Sequence, residues 1–171
     1  MFTTSYLPLI GGSELAMFHT LSRIPEYQFD IVTLRLDPES PAIQQQGNIR
    51  VIRVGGLLAR LTIMLPKALA PLVLAWAGFR QVRTQSYVAL HAYQASQGAA
   101  AAALIRLVKR HIPLIVTLQE GKDLSAQSWL VRWTRAWVLR RADRVVAISE
   151  FLASYARGIT KAPVEVIPNG V

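Results

Sequence analysis

Residues 112–118 of the chain read Ile-Pro-Leu-Ile-Val-Thr-Leu, a short apolar run that ends at the polar pair Gln119-Glu120. A nearly continuous apolar run of this length is typical of a strand that is buried on both faces, as in a parallel sheet. Helical patterns flank it at 96–111 and 128–141. Strands that are separated by helices of ten or more residues indicate parallel pairing through right-handed crossovers. The stretch therefore predicts an α/β fold.

The same alternation of strands and helices extends along the chain in both directions. Shorter helices are predicted at 13–23 and 149–157, where Ser13 and Ser149 are candidate N-caps. An opening strand must lie within residues 1–6, because a strand has to lead into the Gly11-Gly12 turn. The order of elements indicates a Rossmann-like, doubly wound parallel sheet. The remaining strands are predicted at 29–34, 49–54, 87–92, 144–148 and 164–167.

Both ends of the chain resemble cut ends. A central strand that begins at Met1 lacks its first half, and the chain stops at the turn signal Asn169-Gly170. We therefore expect that the sequence is truncated at both termini.

The most hydrophobic window, 55–79, contains Arg60, Lys67 and two prolines, and its longest uncharged stretch is twelve residues. A helix needs about 20 apolar residues to span a bilayer, so a buried or interfacial helix pair is predicted. Met1 is not followed by a basic head and an apolar run. The expected location is cytoplasmic, with a peripheral position at the inner face of the membrane as an alternative.

Positive charge is concentrated in one part of the chain. The formal net charge is +9, and residues 80–144 hold eleven Lys and Arg against three Asp and Glu. Such a segment favours anionic partners, including acidic membrane surfaces. The absence of cysteine excludes disulfides and thiolate metal sites.

Ligands of open parallel sheets bind outside the carboxyl ends of the strands, so the polar residues there are the candidate site. Gly11-Gly12 is expected to adopt positive φ and to let a ligand approach the backbone, although a plain turn is an equal alternative. His91 could bind a polar substrate or be satisfied by backbone groups. Because Gly-x-Gly-x-x-Gly is missing, a nicotinamide cofactor is not supported. The candidate substrate-binding residues are Gly11, Gly12, Ser13, Glu14, His91, Tyr93, Gln119, Glu120, Ser149 and Glu150.

Three tryptophans recur at helical spacing, at positions 129, 133 and 137. Core packing is the simpler interpretation of this stripe. The interleaved Arg132, Arg135, Arg140 and Arg141 leave open a second interpretation, a basic aromatic surface that lies on anionic lipid.

Taken in order, five segments resemble the N-terminal domain of glycosyltransferase family 4, whose members have two Rossmann-like domains, an architecture called GT-B. Residues 6–14 resemble the opening glycine loop, and 87–92 a central strand that ends in His. Residues 112–119 resemble a strand that usually ends in Thr-x-His, and 142–150 an Ala-Asp strand that runs into a serine cap. Residues 166–171 resemble the hinge between the domains, and they contain Asn169 and Gly170.

The resemblance implies transfer of a sugar from a nucleotide-sugar donor, with retention of configuration and without a bound metal or other cofactor. It implies that residues 1–171 are the half that holds a sugar or lipid-linked acceptor. The donor-binding C-terminal domain would then be absent, and the isolated half inactive. This chain has Gln119 where the family often has His. An amide can position a sugar hydroxyl but cannot act as an acid or base at pH 7, so no catalytic residue is assigned.

Two other classes of function would explain parts of the sequence. A non-enzymatic basic α/β module that binds anionic membrane or nucleic acid would explain the positive segment, but not the hinge or the polar strand ends. A nucleotide-binding oxidoreductase is disfavoured by the missing glycine fingerprint. The expected partners are thus an acceptor and a second domain, with a peripheral contact to anionic membrane as a further option. Nucleic acid is not expected.

Overall fold

The strands form two half-sheets in the computed structural model, which describes residues 1–55, 69–119 and 127–169. They are β1 (Phe29–Leu34), β2 (Ile43–Gln46), β3 (Ile49–Val54), β4 (Leu90–Tyr93), β5 (Leu114–Leu118), β6 (Arg144–Ala147) and β7 (Val164–Val166). The first half-sheet has the order β1-β3-β2, and the second has the order β4-β5-β6-β7. β2 is antiparallel to β3, and the other pairs are parallel.

Phe2 joins the two half-sheets. It forms parallel bridges to Val32 in β1 and to Ala92 in β4. Its backbone N–H donates to the His91 carbonyl over 2.8 Å, and its carbonyl accepts from the Tyr93 N–H over 2.9 Å. The predicted opening strand is therefore reduced to a bridge at one residue, and it occupies the centre of the sheet.

The helices cover the two faces of the sheet unequally. They are α1 (Gly12–Ser22), α2 (Ala70–Thr84), α3 (Gln97–Val108), α4 (Trp129–Leu139) and α5 (Glu150–Arg157). α1 packs on one face, where its buried Met17 and Leu21 belong to the same core as Ile31 and Val51. The other helices share a second, larger core with Val32 and with the inward side chains of β4–β6. This arrangement confirms the predicted doubly wound fold.

The alternation of side chains along β4 places its polar residues on the α1 face. Leu90 and Ala92 are buried in the larger core, and successive side chains of a strand point to opposite faces. His91 and Tyr93 therefore point toward α1.

Several predicted details of the backbone are wrong. β2 was not predicted, because the sequence Ile-Gln-Gln-Gln has no apolar alternation. α1 begins at Gly12 with Gly11 as N-cap, so Ser13 is a helical residue and not the cap. Gly11 has φ −142°, in the extended region, and Gly12 is helical, so the glycine pair does not supply positive φ. The cap at Ser149 is confirmed, because its hydroxyl accepts from the Leu152 N–H over 3.4 Å.

The structure bears on two apolar features of the sequence, the hydrophobic window and the tryptophan stripe. α2 forms the second part of the hydrophobic window 55–79, whereas residues 56–68 lie outside the described residues. The interpretation of the tryptophan stripe as core is wrong for Trp129 and Trp133, which are exposed, while Trp137 packs against the larger core. Arg135 is buried, so it does not belong to a basic surface.

Candidate functional site

A groove opens at the carboxyl ends of β4, β5 and β6, between the strands and α1. Its volume is about 740 Å³, within the range that small-molecule sites usually have. We call it the strand-end groove. One wall includes Gly12, Ala16, His19 and Thr20 of α1 and its C-cap Arg23, which fall on one helical face because of their spacing. The opposite wall consists of His91, Tyr93, Thr117, Gln119, Val146, Ile148, Ile167, Pro168 and Asn169.

His91 is fixed by a neighbour on the adjacent strand. Its Nε2 lies 2.7 Å from the Thr117 hydroxyl oxygen, and its ring centroid lies 5.4 Å from that of Tyr93. Burial lowers the pKa of His91 to about 4, and the positive charge of the Met1 amino group adds to this shift. The imidazole is therefore neutral at pH 7 and can donate or accept a hydrogen bond, but it is a weak proton acceptor.

Tyr93, Gln119 and Asn169 form a polar chain across the groove. The Tyr93 hydroxyl shares hydrogen bonds with Thr20 and Gln119, and burial raises its pKa despite these bonds. The Gln119 amide donates from Nε2 to Asn169 Oδ1 over 3.0 Å. This chain connects α1, the end of β5 and the predicted hinge, so it joins three elements that are far apart in sequence.

The glycine loop contributes to the groove mainly through Gly12. Glu14 is buried and turns back on the loop, where it accepts from the hydroxyls of Ser5 and Ser13. A Cβ on Gly11 would lie 2.5 Å from Glu14 Oε2, whereas a Cβ on Gly12 would meet no atom within 4 Å. Gly11 thus makes room for Glu14, while the free space at Gly12 faces the groove.

Some predicted site residues lie outside the groove. Ser149 caps α5, and Glu150 pairs with Arg157. Gly11, Ser13 and Glu14 do not line it either. Glu120 and Gly170, the second of the two predicted hinge residues, lie outside the described residues.

Two residues that hold the site together, Gln94 and Thr117, are not among the predicted substrate-binding residues. Gln94 has φ 71°, in the left-handed region. Its N–H donates to the Thr117 carbonyl over 2.8 Å, and its side-chain Nε2 donates to the Ser13 hydroxyl over 3.0 Å. For Thr117 the sequence predicts only a place in a buried strand. The parallel register places Thr117 beside Tyr93. This register could not be predicted, because the sequence does not reveal which strands are neighbours in the sheet.

Within the described ranges, no helix combines the length and the apolar character that crossing a bilayer requires. The same ranges contain no group of three or more His, Cys, Asp or Glu residues that could hold a metal ion.

The chain is similar to proteins of known class. Residues 23–170 match the family described as "Glycosyl transferase 4-like domain". No curated protein sequence matches the chain. Two structures of sucrose-phosphate synthase from Thermosynechococcus elongatus share its fold. One has a TM-score of 0.66 and 20% identity over 92% of this chain, and the other has 0.70 and 16% over 98%.

The chain spans 83% of the first of these structures and 45% of the second. At such identities the likeness concerns the fold alone, and it agrees with the Rossmann-like sheet of a GT-B glycosyltransferase. The family match covers most of the sequence, from residue 23 to residue 170. The chain therefore belongs to the glycosyl transferase 4-like family.

Proposed function

We propose that this domain binds the acceptor of a nucleotide-sugar-dependent glycosyltransferase in the strand-end groove. The observation that carries the proposal is the polar chain of Tyr93, Gln119 and Asn169, which lines a groove at the carboxyl ends of parallel strands. Hydroxyl and amide groups on a partly apolar wall are suited to sugar hydroxyls. The acceptor is a free sugar or a lipid-linked one.

The groove is a binding surface in this proposal, and the reaction centre is shared with a donor-binding domain. Gln119 cannot transfer protons, and His91 is neutral and engaged with Thr117. Both residues therefore position the acceptor. Departure of the nucleotide diphosphate requires preorganised donors for its charge. The groove wall offers the backbone near Gly12 and the side chain of Arg23, so most of these donors belong to the second domain.

The finer chemistry is proposed on the family resemblance. It includes retention of anomeric configuration, catalysis without a bound metal, and the nucleotide-sugar as a substrate with no other cofactor. The isolated domain is proposed to be inactive. The structural relatives are named for the synthesis of sucrose phosphate, and that name supports a small sugar or sugar phosphate as the acceptor class.

Saturation-transfer NMR on the 171-residue chain tests whether the groove binds an acceptor. The probes are methyl α-D-glucoside, glucose 6-phosphate and UDP-glucose. We expect saturation of the sugar protons of one of the first two probes, and loss of this signal in Gln119→Ala and Tyr93→Phe. Phe151→Ala is the matched control, because this exposed aromatic residue of α5 lies outside the groove.

Two outcomes would contradict the proposal. One is sugar binding that Gln119→Ala leaves unchanged. The other is UDP-glucose binding in which the uridine protons receive the saturation, because that would place the nucleotide on this domain.

A further inference from the structure

We propose that α2 and α4 dock this domain on a membrane surface that carries anionic phospholipids. The proposal does not depend on the acceptor site. It rests on the side chains that these two helices expose, and it changes the set of basic residues that the sequence had suggested.

The first observation is the exposure of tryptophan. Three of the four tryptophans point outward, with exposed fractions of 75% for Trp129, 61% for Trp76 and 60% for Trp133. Tryptophan is highly buried on average in soluble proteins. Its ring prefers sites where one end is apolar and the other is wet, such as the interface of a membrane.

On α2, the exposed residues follow one helical stripe. Leu72, Trp76, Arg80 and Arg83 are spaced by four, four and three residues, so they lie on one face, and all four are exposed. The opposite face, which includes Leu74, is buried in the larger core. The guanidinium of Arg80 lies 5.0 Å from the centroid of the Trp76 ring.

α4 repeats this pattern. Trp129, Arg132, Trp133 and Arg140 fall on one face of the helix and its C-cap, and all four are exposed. The buried side contains Arg135, Val138 and Leu139. Because Arg135 faces the core, the basic outer stripe consists of Arg132 and Arg140, with Arg141 stacked 4.2 Å from the Trp137 ring centroid.

The two helices belong to the same layer of the fold. Each packs against α3, and α3 covers β4 and β5 on the face opposite to α1. The proposed membrane surface therefore lies on the other side of the sheet from the strand-end groove. Docking through α2 and α4 would leave the groove accessible.

The positive charge of α2 and α4 favours an anionic partner. The sequence contains no Asp or Glu between Glu39 and Glu120, and α4 contains none. Arginines elsewhere, such as Arg50, Arg144 and Arg157, pair with carboxylates. Two copies of this surface would repel each other. An anionic headgroup layer satisfies the guanidinium groups, while the tryptophan rings enter the interface.

Vesicle sedimentation tests the proposal with the 171-residue chain. The vesicles contain either phosphatidylcholine alone or phosphatidylcholine with 30% phosphatidylglycerol. We expect binding only to the anionic vesicles, with a blue shift of tryptophan emission. Binding should weaken as salt rises, because exposed charges are screened within about 8–10 Å at 0.1–0.15 M.

Two double variants separate the contribution of charge to vesicle binding from the contribution of apolar contact. Arg80→Gln with Arg132→Gln should weaken binding about 25-fold, since each basic residue near an anionic surface contributes about fivefold. Trp76→Ala with Trp133→Ala should weaken binding at least about tenfold through lost apolar contact. The matched controls are Arg157→Gln and Phe151→Ala, an exposed arginine and an exposed aromatic on α5, and both should bind like the parent chain.

Equal binding to neutral and anionic vesicles would overturn the proposal, and so would undiminished binding by the tryptophan variant. Brominated lipid provides a test that needs no variant, because failure to quench the tryptophan emission of the bound chain would also overturn it. A dimer that the tryptophan variant dissociates would assign the surface to a second copy. Binding to a short DNA duplex that both double variants weaken equally would assign it to nucleic acid.

Discussion

His91 shows how a strand-end residue becomes a fixed hydrogen-bonding group. Its place in β4 turns the ring toward the α1 face, where Thr117 holds Nε2 at 2.7 Å. Burial then lowers the pKa of the ring to about 4. This burial makes the imidazole a poor base. It also keeps the ring neutral near pH 7, so that its hydrogen-bonding groups stay the same there.

The depressed pKa of His91 predicts a pH dependence of stability. The unfolded chain binds a proton on this residue below about pH 6.5, whereas the folded chain does so only near pH 4. His91 therefore stabilises the fold fully above pH 6.5, and this contribution is lost as the pH falls toward 4. Between pH 7 and pH 4.5, the free energy of unfolding should fall by about 2 kcal/mol more in the parent chain than in His91→Gln.

Urea unfolding at the two pH values measures this difference, and the other titrating groups cancel because they are common to both proteins. If the free energy of unfolding falls equally in the parent chain and in His91→Gln, the pKa of His91 is not depressed.

Gly12 offers a residue-scale test of the groove wall. Because a Cβ at Gly12 meets no atom within 4 Å, Gly12→Ala should leave the free energy of unfolding unchanged or raise it by up to about 1 kcal/mol. The same methyl group would project where a sugar is proposed to bind, so NMR saturation of the bound probe should fall. Gly11→Ala is the contrasting variant, since it collides with the Glu14 carboxylate. Unchanged sugar binding by Gly12→Ala would exclude contact at this position.

At the scale of elements, α3 approaches the centre of the sheet unusually closely. The alanines from 99 to 103 are all buried, and a Cβ on Gly98 would lie 2.9 Å from the backbone N and Cα of Thr3. The helix can lie on the sheet centre only because these side chains are small. Thr4 adds a contact between its hydroxyl and that of Ser96 at 3.1 Å.

Gly98→Ala should therefore destabilise the domain by about 1–3 kcal/mol, because a backbone collision cannot be relieved by a change of rotamer. Gly158→Ala is the control. Its Cβ would lie 3.5 Å from the Tyr155 carbonyl oxygen, which is an ordinary contact, and its φ of −72° suits alanine. Thermal unfolding of the two variants measures the difference. If Gly98→Ala melts at the temperature of the control, the close approach of α3 to Thr3 is wrong.

Most of the elements could be predicted from the sequence because their patterns are local. β5 is an apolar run between two helices, and the α5 cap is a serine at a strand end. The antiparallel β2 is different: three of its four residues are glutamines, and only pairing with β3 orders them. The spacing of Trp129 and Trp133 placed them on one helical face, but it did not indicate whether that face meets the core or the solvent.

The candidate site could be predicted less well than the fold. The polar residues at the ends of β4 and β5 were identified because parallel strands end at one edge of the sheet. Their contacts were not, because the bonds from Gln119 to Asn169 and from His91 to Thr117 depend on register and sheet order. Glu14 has a structural contact that the sequence did not indicate. Its position in the glycine loop suggested a ligand contact, yet its carboxylate holds the loop together.

At the scale of the whole molecule, the sheet separates two surfaces. The strand-end groove lies on the α1 face, and the exposed tryptophans and arginines of α2 and α4 lie on the other. Phe2 connects the two half-sheets at the centre, so both surfaces belong to one continuous sheet. The two proposals are therefore compatible, because the proposed acceptor site and the proposed membrane surface lie on opposite sides of the sheet.

We predict that sugar transfer requires a second domain in addition to this one. The 171-residue chain, incubated with UDP-glucose and the sugar probes, should form no glycosylated product, because the charge of the leaving diphosphate meets too few donors here. A protein that joins this chain to a donor-binding domain should transfer sugar.

In that joined protein, Gly12→Val should lower kcat/KM at least about 100-fold, since one preorganised contact to the leaving group contributes about that much. Its Tm should stay unchanged, because the side chain enters open space. Product analysis by mass spectrometry measures both activities. Sugar transfer by the 171-residue chain, or full activity of the joined Gly12→Val protein, would place the chemistry elsewhere than at the junction of the glycine loop with a second domain.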